Sequence, residues 1–111
     1  IFMILISIYR NPGKAIERFV IEGHAHMADS GQDIVCAAVS ALGQTTVLSL
    51  HQIADIDIEY EIKKGYLGCK LPKKLTEKEL YKAGLLIDAM LLGLKNIQES
   101  YPQYIEIRDK A

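Results

Sequence analysis

Cysteine is scarce in this sequence, with two residues, Cys36 and Cys69, among 111. A secreted domain of this size usually carries more, because disulfides supplement a small core. The pair therefore reads as two reduced thiols of a cytosolic protein, with a single Cys36–Cys69 bridge as the weaker alternative. An excess of positive charge is also lacking. The net charge is −1, whereas a protein whose main partner is nucleic acid presents a basic surface. The apolar start, Ile1 to Ile8, lacks the basic flank and small-residue cleavage site of a secretory signal. It is also far shorter than the ~20 residues that span a bilayer, so no membrane partner is expected. Internal repeats, low-complexity tracts and linkers are missing too. What is present is an ordinary globular composition, 50% hydrophobic and 24% charged. The length fits one domain over residues 1–111, of modest stability to which dimerisation would add.

Residues 2–9 are rich in β-branched and aromatic side chains and read as a central strand covered on both faces. Asn11-Pro12-Gly13 signals a turn, and residues 15–22 complete a hairpin. Gly23 to Asp33 is small, polar and flanked by glycine, which predicts a long loop of the kind that often carries function. A helix follows to about residue 52. Its apolar face combines two stripes, Ile34, Ala38, Ala41 and Thr45 beside Val35, Val39, Leu42 and Thr46. Asp55 to Lys63 alternates strictly and predicts a strand with one wet face. Gly65 permits a turn into a partner strand over 66–71. Thr76 and Glu79 form the T-x-x-E pattern of a capping box, opening a heavily apolar helix from Glu77 to about Glu99. Tyr104 to Arg108 alternates again. The order ββαββαβ predicts an α+β domain, with an antiparallel or mixed sheet of about five strands and two helices over one or both faces.

His24, His26, Asp29, Asp33 and Cys36 form the one dense cluster of reactive side chains. A thiol titrates near 8.5 and attacks as the thiolate. A helix N-terminus, carrying about half a positive charge, favours that thiolate. An imidazole can take its proton and later pass it to a leaving amine. Unsatisfied N–H groups at the helix end can hold an oxyanion. Cys36 with His24 therefore suits nucleophilic catalysis. The same residues permit other readings. Cys36 can be a small buried hydrophobe of the helix, and His24, His26, Asp29 and Cys36 offer ligands that suit zinc, although their spacing matches no strong zinc pattern.

Gly23-His24-Ala25, followed by Gly31-Gln32-Asp33-Ile34-Val35-Cys36-Ala37-Ala38-Val39-Ser40-Ala41-Leu42, resembles the ribosomal-processing cysteine protease family, Prp. The resemblance runs through nearly the whole order of elements. It implies a cytoplasmic bacterial endopeptidase that removes a short N-terminal extension from a large-subunit ribosomal protein, cutting after an aromatic stretch. It implies a homodimer; no cofactor and no metal are expected. By motif, Cys36 matches the nucleophile, His24 the catalytic histidine and Asp33 a supporting aspartate. Gly23, Ala25, Gly31 and Ser40 fall at positions suited to substrate binding. Asp33 either orients His24 or caps the helix; with Ser30 as the cap instead, the two would form a capping box and Cys36 would lie deeper in the helix. His26 stands where the family pattern has glycine, as a solvated side chain, a rival base or a metal ligand.

The expected partner is thus a ribosomal protein precursor, with a second copy of the chain and without direct nucleic-acid contact. A different class stays open on the same surfaces: a non-catalytic ribosome-assembly or protein-binding module with an inert Cys36.

Overall fold

The computed structural model describes residues 3–23 and 30–110, and of residues 30–33 and 110 it describes the backbone. Five strands and two helices follow in the order β1 (Ile4–Arg10), β2 (Ile16–Glu22), α1 (Ser30–Gln52), β3 (Glu59–Lys63), β4 (Tyr66–Lys70), α2 (Glu77–Ser100) and β5 (Ile105–Lys110). The expected ββαββαβ order and the α+β class are both borne out. The sheet runs β3-β4-β2-β1-β5. It is mixed, because β1 pairs with β5 in parallel while every other pairing is antiparallel.

The connectivity dictates where the helices lie. The crossovers β2–α1–β3 and β4–α2–β5 each join parallel strands. They start from strands of opposite direction and step opposite ways along the sheet. Right-handed crossovers of that kind place both helices on one face. Register then selects the residues they cover. Ile6 pairs with Ile21 and Ile21 with Leu67; Ile8 pairs with Phe19 and Phe19 with Cys69; Ile4 pairs with Ile105. These side chains form a single core with Val35, Val39, Val47 and Leu50 of α1 and Ala83, Ile87, Met90, Leu91 and Leu94 of α2. The other face of β1 carries Leu5, Ser7 and Tyr9 under no helix. Ser7 is nonetheless buried there and Leu5 and Tyr9 are half-buried, so the expected cover on both faces holds for the middle of the strand without a second helix layer.

Two glycines set the spacing of the layers. A Cβ at Gly43 would meet Ile21 Cδ1 at 2.8 Å and Leu67 Cδ1 at 3.2 Å, so α1 lies close against β2 and β4. A Cβ at Gly93 would meet Leu42 Cδ1 at 3.0 Å, where the helices cross. Of the two stripes expected to face the core from α1, one does so. Val35, Val39 and Thr46 are buried, and the Thr46 hydroxyl donates to the Leu42 carbonyl at 2.7 Å. In the other stripe Ile34 is 60% exposed, and Ala41 and Thr45 face solvent. Helix α1 is long and apolar enough to cross a membrane by composition, but its buried stripe places it in the core.

β3 is shorter than the alternation suggested. Asp55 takes a left-handed φ of 55°, and the Ile56 N–H donates to the Leu50 carbonyl at 3.0 Å, so residues 53–58 fold back on the helix end. Ile56 and Ile58 reach the core from this turn without joining the ladder. The capping box forms as expected. The Glu79 N–H donates to Thr76 Oγ1 at 3.1 Å and the Thr76 N–H to Glu79 Oε1 at 2.9 Å.

Candidate active site

Strand β2 ends at Glu22, and Gly23 follows it out of the sheet. Gly23 is held on two sides. Its N–H donates to the Gly65 carbonyl at 3.0 Å, in the β3–β4 turn, where Gly65 has φ 75°. On the other side a Cβ would meet Ile4 Cα at 3.0 Å and Met3 O at 3.1 Å, which are backbone atoms that cannot swing aside. His24 and Ala25, like His26 and Asp29, lie outside the described residues.

Helix α1 is described from Ser30, three residues before its expected start at Asp33. Asp33 is therefore already helical and is not the N-cap of the helix. Cys36 moves correspondingly deeper, nearly two turns in. The helix charge acts over the first turn, so it assists a thiol there less than it would at the first helical residue. Helical side chains lean toward the N-terminus, which directs Cys36 back over the turn that contains Gln32 and Asp33. Gly31 and Asp33 are placed on this first part of the helix by their backbone alone.

Cys36 is half-buried and Cys69 is buried, and neither is joined in a disulfide. Cys36 lines a cavity of about 470 Å³ between the start of α1 and the ends of β2 and β4. Ala37, Val39, Ser40 and Gln44 continue its helix wall. Ile4, Ile21 and Leu67 form an apolar floor, Glu22 and Gly23 one rim, and Ile62 to Tyr66 the other. Gln44 Nε2 donates to Ser40 Oγ at 2.8 Å along this wall. The cavity thus joins three expected site residues, Gly23, Cys36 and Ser40. Such a space beside a thiol can admit an apolar side chain while a peptide carbonyl approaches the sulfur. Among the described residues no group of His, Cys, Asp and Glu could hold a metal ion.

Cys69 lies on the helix-facing side of β4 at the Phe19 register position. Burial pushes its thiol up to about 12, and it does not line the cavity at Cys36.

Nothing in the local sequence marks Lys63, Lys64 and Tyr66 as site residues. Their place at the rim follows from β4 pairing with β2, a contact between distant segments that local patterning does not reveal. The Lys63 ammonium lies 5.3 Å from the Tyr66 ring centroid and 3.4 Å from Glu61.

The family model for cysteine protease Prp matches residues 3–106. The chain belongs to the cysteine protease Prp family. It is 33% identical to the ribosomal processing cysteine protease Prp of Bacillus subtilis, over 95% of this chain and 96% of that protein. It is 27% identical to Prp of Staphylococcus aureus, over 97% of this chain and 100% of that protein. Among solved structures, the SMU.848 protein of Streptococcus mutans superposes with a TM-score of 0.82 at 34% identity, over 96% of this chain and 93% of that one. S. aureus Prp in complex with a substrate peptide superposes at 0.84 and 24% identity, over 97% and 100%. The Prp fold is thus shared throughout, and the chemistry of the family is that of a cysteine-type hydrolase.

Proposed function

We propose that this chain is a single-domain Prp endopeptidase of the bacterial cytoplasm that removes the N-terminal extension of a large-subunit ribosomal protein. The observation that carries the reading is Cys36, half-buried at the wall of a cavity that begins where β2 ends and His24 follows. In this mechanism His24 takes the Cys36 proton and the thiolate attacks the scissile carbonyl. The tetrahedral oxyanion is held by N–H groups of the first turn of α1, which have no partner within a helix. Collapse of this intermediate breaks the C–N bond, and His24 gives its proton to the leaving amine. His24 then activates water, which hydrolyses the thioester and restores the thiol. With Asp33 inside the helix, its supporting role is to orient His24. The helix charge is diluted at Cys36, so most of the activation falls to that imidazole.

The apolar floor of Ile4, Ile21 and Leu67 suits an aromatic side chain beside the scissile bond. Gly23, Ala25, Gly31 and Ser40 border the peptide. Two copies pair through α2, whose Leu80, Tyr81, Leu85 and Leu92 are exposed; sedimentation as a monomer at micromolar concentration would remove the dimer. The test of the main reading mixes the protein with an N-terminal extension peptide of such a ribosomal protein and follows the products by mass spectrometry. A single cut after the aromatic stretch, absent in Cys36→Ala, is expected. Cleavage retained by Cys36→Ala overturns the assignment.

A further inference from the structure

Helix α1 brings more to the cavity than Cys36. Cys36, Ser40 and Gln44 recur every fourth residue and His51 follows seven later, so all four share one flank of the helix. That flank faces β3. Gln44 lines the cavity together with Ile62, and the His51 ring lies 6.2 Å from the Tyr60 ring, tilted by 50°. The opposite flank is occupied, since Leu42 meets α2 at Gly93. β3 is an edge strand, whereas α1 sits over its inner neighbours β4 and β2. Tyr60 and Ile62 pair with the core residues Cys69 and Leu67 and so point to the helix side of the sheet, yet at this edge they stay 49% and 41% exposed. The flank between α1 and β3 thus leads from the cavity, whose lining reaches Gln44 and Ile62, toward the ring pair at His51 and Tyr60.

We propose that this flank is an extended-peptide track, and that His51 and Tyr60 form a remote subsite for an aromatic or bulky apolar side chain of the substrate. The inference rests on the protease reading above. Its occupant is the peptide because this flank leads out of the cavity that takes the scissile bond, past Gln44 and Ile62 in its wall. A protease must also hold its chain extended beyond that bond. Along the flank, the Gln44 amide keeps a second N–H and a carbonyl besides the N–H it gives to Ser40, suited to a peptide backbone. From Cys36 to His51 the helix rises about 22 Å at ~1.5 Å per residue, which an extended chain at ~3.3 Å per residue covers in about seven residues. The ring separation lies within the range of aromatic pairs, and both rings are open to solvent on one side, so a third ring can join them edge to face.

The test pairs a substrate peptide with the same peptide trimmed of its far apolar residues. Fluorescence anisotropy measures their affinities in the Cys36→Ala background, where no turnover occurs, with and without Tyr60→Ala. Trimming weakens binding about fivefold when Tyr60 is present. It has no further effect in Tyr60→Ala, which already binds the full peptide about fivefold less well, and Tyr60→Phe restores the difference. An equal penalty for trimming with and without Tyr60, or no penalty with it, overturns the remote subsite. Cleavage of the full peptide by the unsubstituted protein is scored separately. A peptide that is bound with the expected pattern but not cut refutes the protease reading alone, and a peptide neither bound nor cut refutes both.

Discussion

The Gly23 N–H donates to the Gly65 carbonyl at 3.0 Å, which fastens the end of β2 to the turn between β3 and β4. Residues 42 apart in sequence thereby fix the point from which the chain departs toward His24. Met3 and Ile4 close the other side, where backbone atoms stand 3.0–3.1 Å from the position of a Gly23 Cβ.

Gly23→Ala forces this strand end to shift by a few tenths of an ångström or more. If His24 is the base, its distance to Cys36 changes with it, and a misplacement approaching 1 Å costs on the order of 100-fold in rate. The expected result is a loss of kcat of about that size, with the circular dichroism of the folded protein retained. An unchanged kcat would separate the strand end from the placement of the base.

The two thiols should behave oppositely. Cys36 borders an open cavity, while Cys69 is buried with its pKa raised to about 12 by desolvation. At pH 7 almost none of Cys69 is the thiolate that reacts. Iodoacetamide should therefore modify one thiol of the native protein, and a second only after unfolding. Cys36→Ala should abolish the native reaction and Cys69→Ala should leave it intact. Rapid native labelling of Cys36→Ala would contradict the burial of Cys69.

The elements were legible where local chemistry decides them. Thr76 and Glu79 announced the start of α2, and the alternation around Tyr104 announced β5. The face that a strand or helix turns inward was less so. Ile34 and Val35 are neighbours of similar hydrophobicity, and only the position of the sheet leaves the first exposed and buries the second. Likewise Ile56 and Ile58 continue the alternation of β3, yet they reach the core from a turn that doubles back to Leu50. The motif around Cys36 marked one side of the site. The opposite rim, Ile62 to Tyr66, is brought there by long-range pairing and carried no local signal.

Thr76→Ala removes one half of the capping box without touching the cavity. The loss of an N-cap costs about 1 kcal/mol, which lowers Tm by roughly 4–8 °C in a domain of this size. Calorimetry should show that shift, while peptide cleavage at 25 °C stays at the level of the unsubstituted protein. A Tm unchanged within error would mean that the box contributes nothing beyond solvation of the same groups.

The last prediction concerns acid stability at the end of the parallel β1–β5 pair. Arg10 Nε donates to Asp109 Oδ1 at 2.7 Å and Nη2 to Oδ2 at 2.8 Å, while Nη1 donates to the Lys14 carbonyl at 2.9 Å. The hydrogen bond from Arg10 holds the Asp109 carboxyl below its ordinary 3.8. A carboxylate depressed in the folded state contributes stability above its unfolded pKa and loses it as pH falls through the folded value. The pair is partly exposed, so its contribution at pH 7 is at most about 1 kcal/mol. Asp109→Asn should lower the urea midpoint slightly at pH 7, and the gap between the two proteins should narrow as pH falls below 3.8. It should narrow in high salt as well, because exposed charges are screened. A gap that stays constant on acidification would assign the effect to loss of packing at the strand end instead, and one that widens would have the wrong sign for a depressed carboxylate.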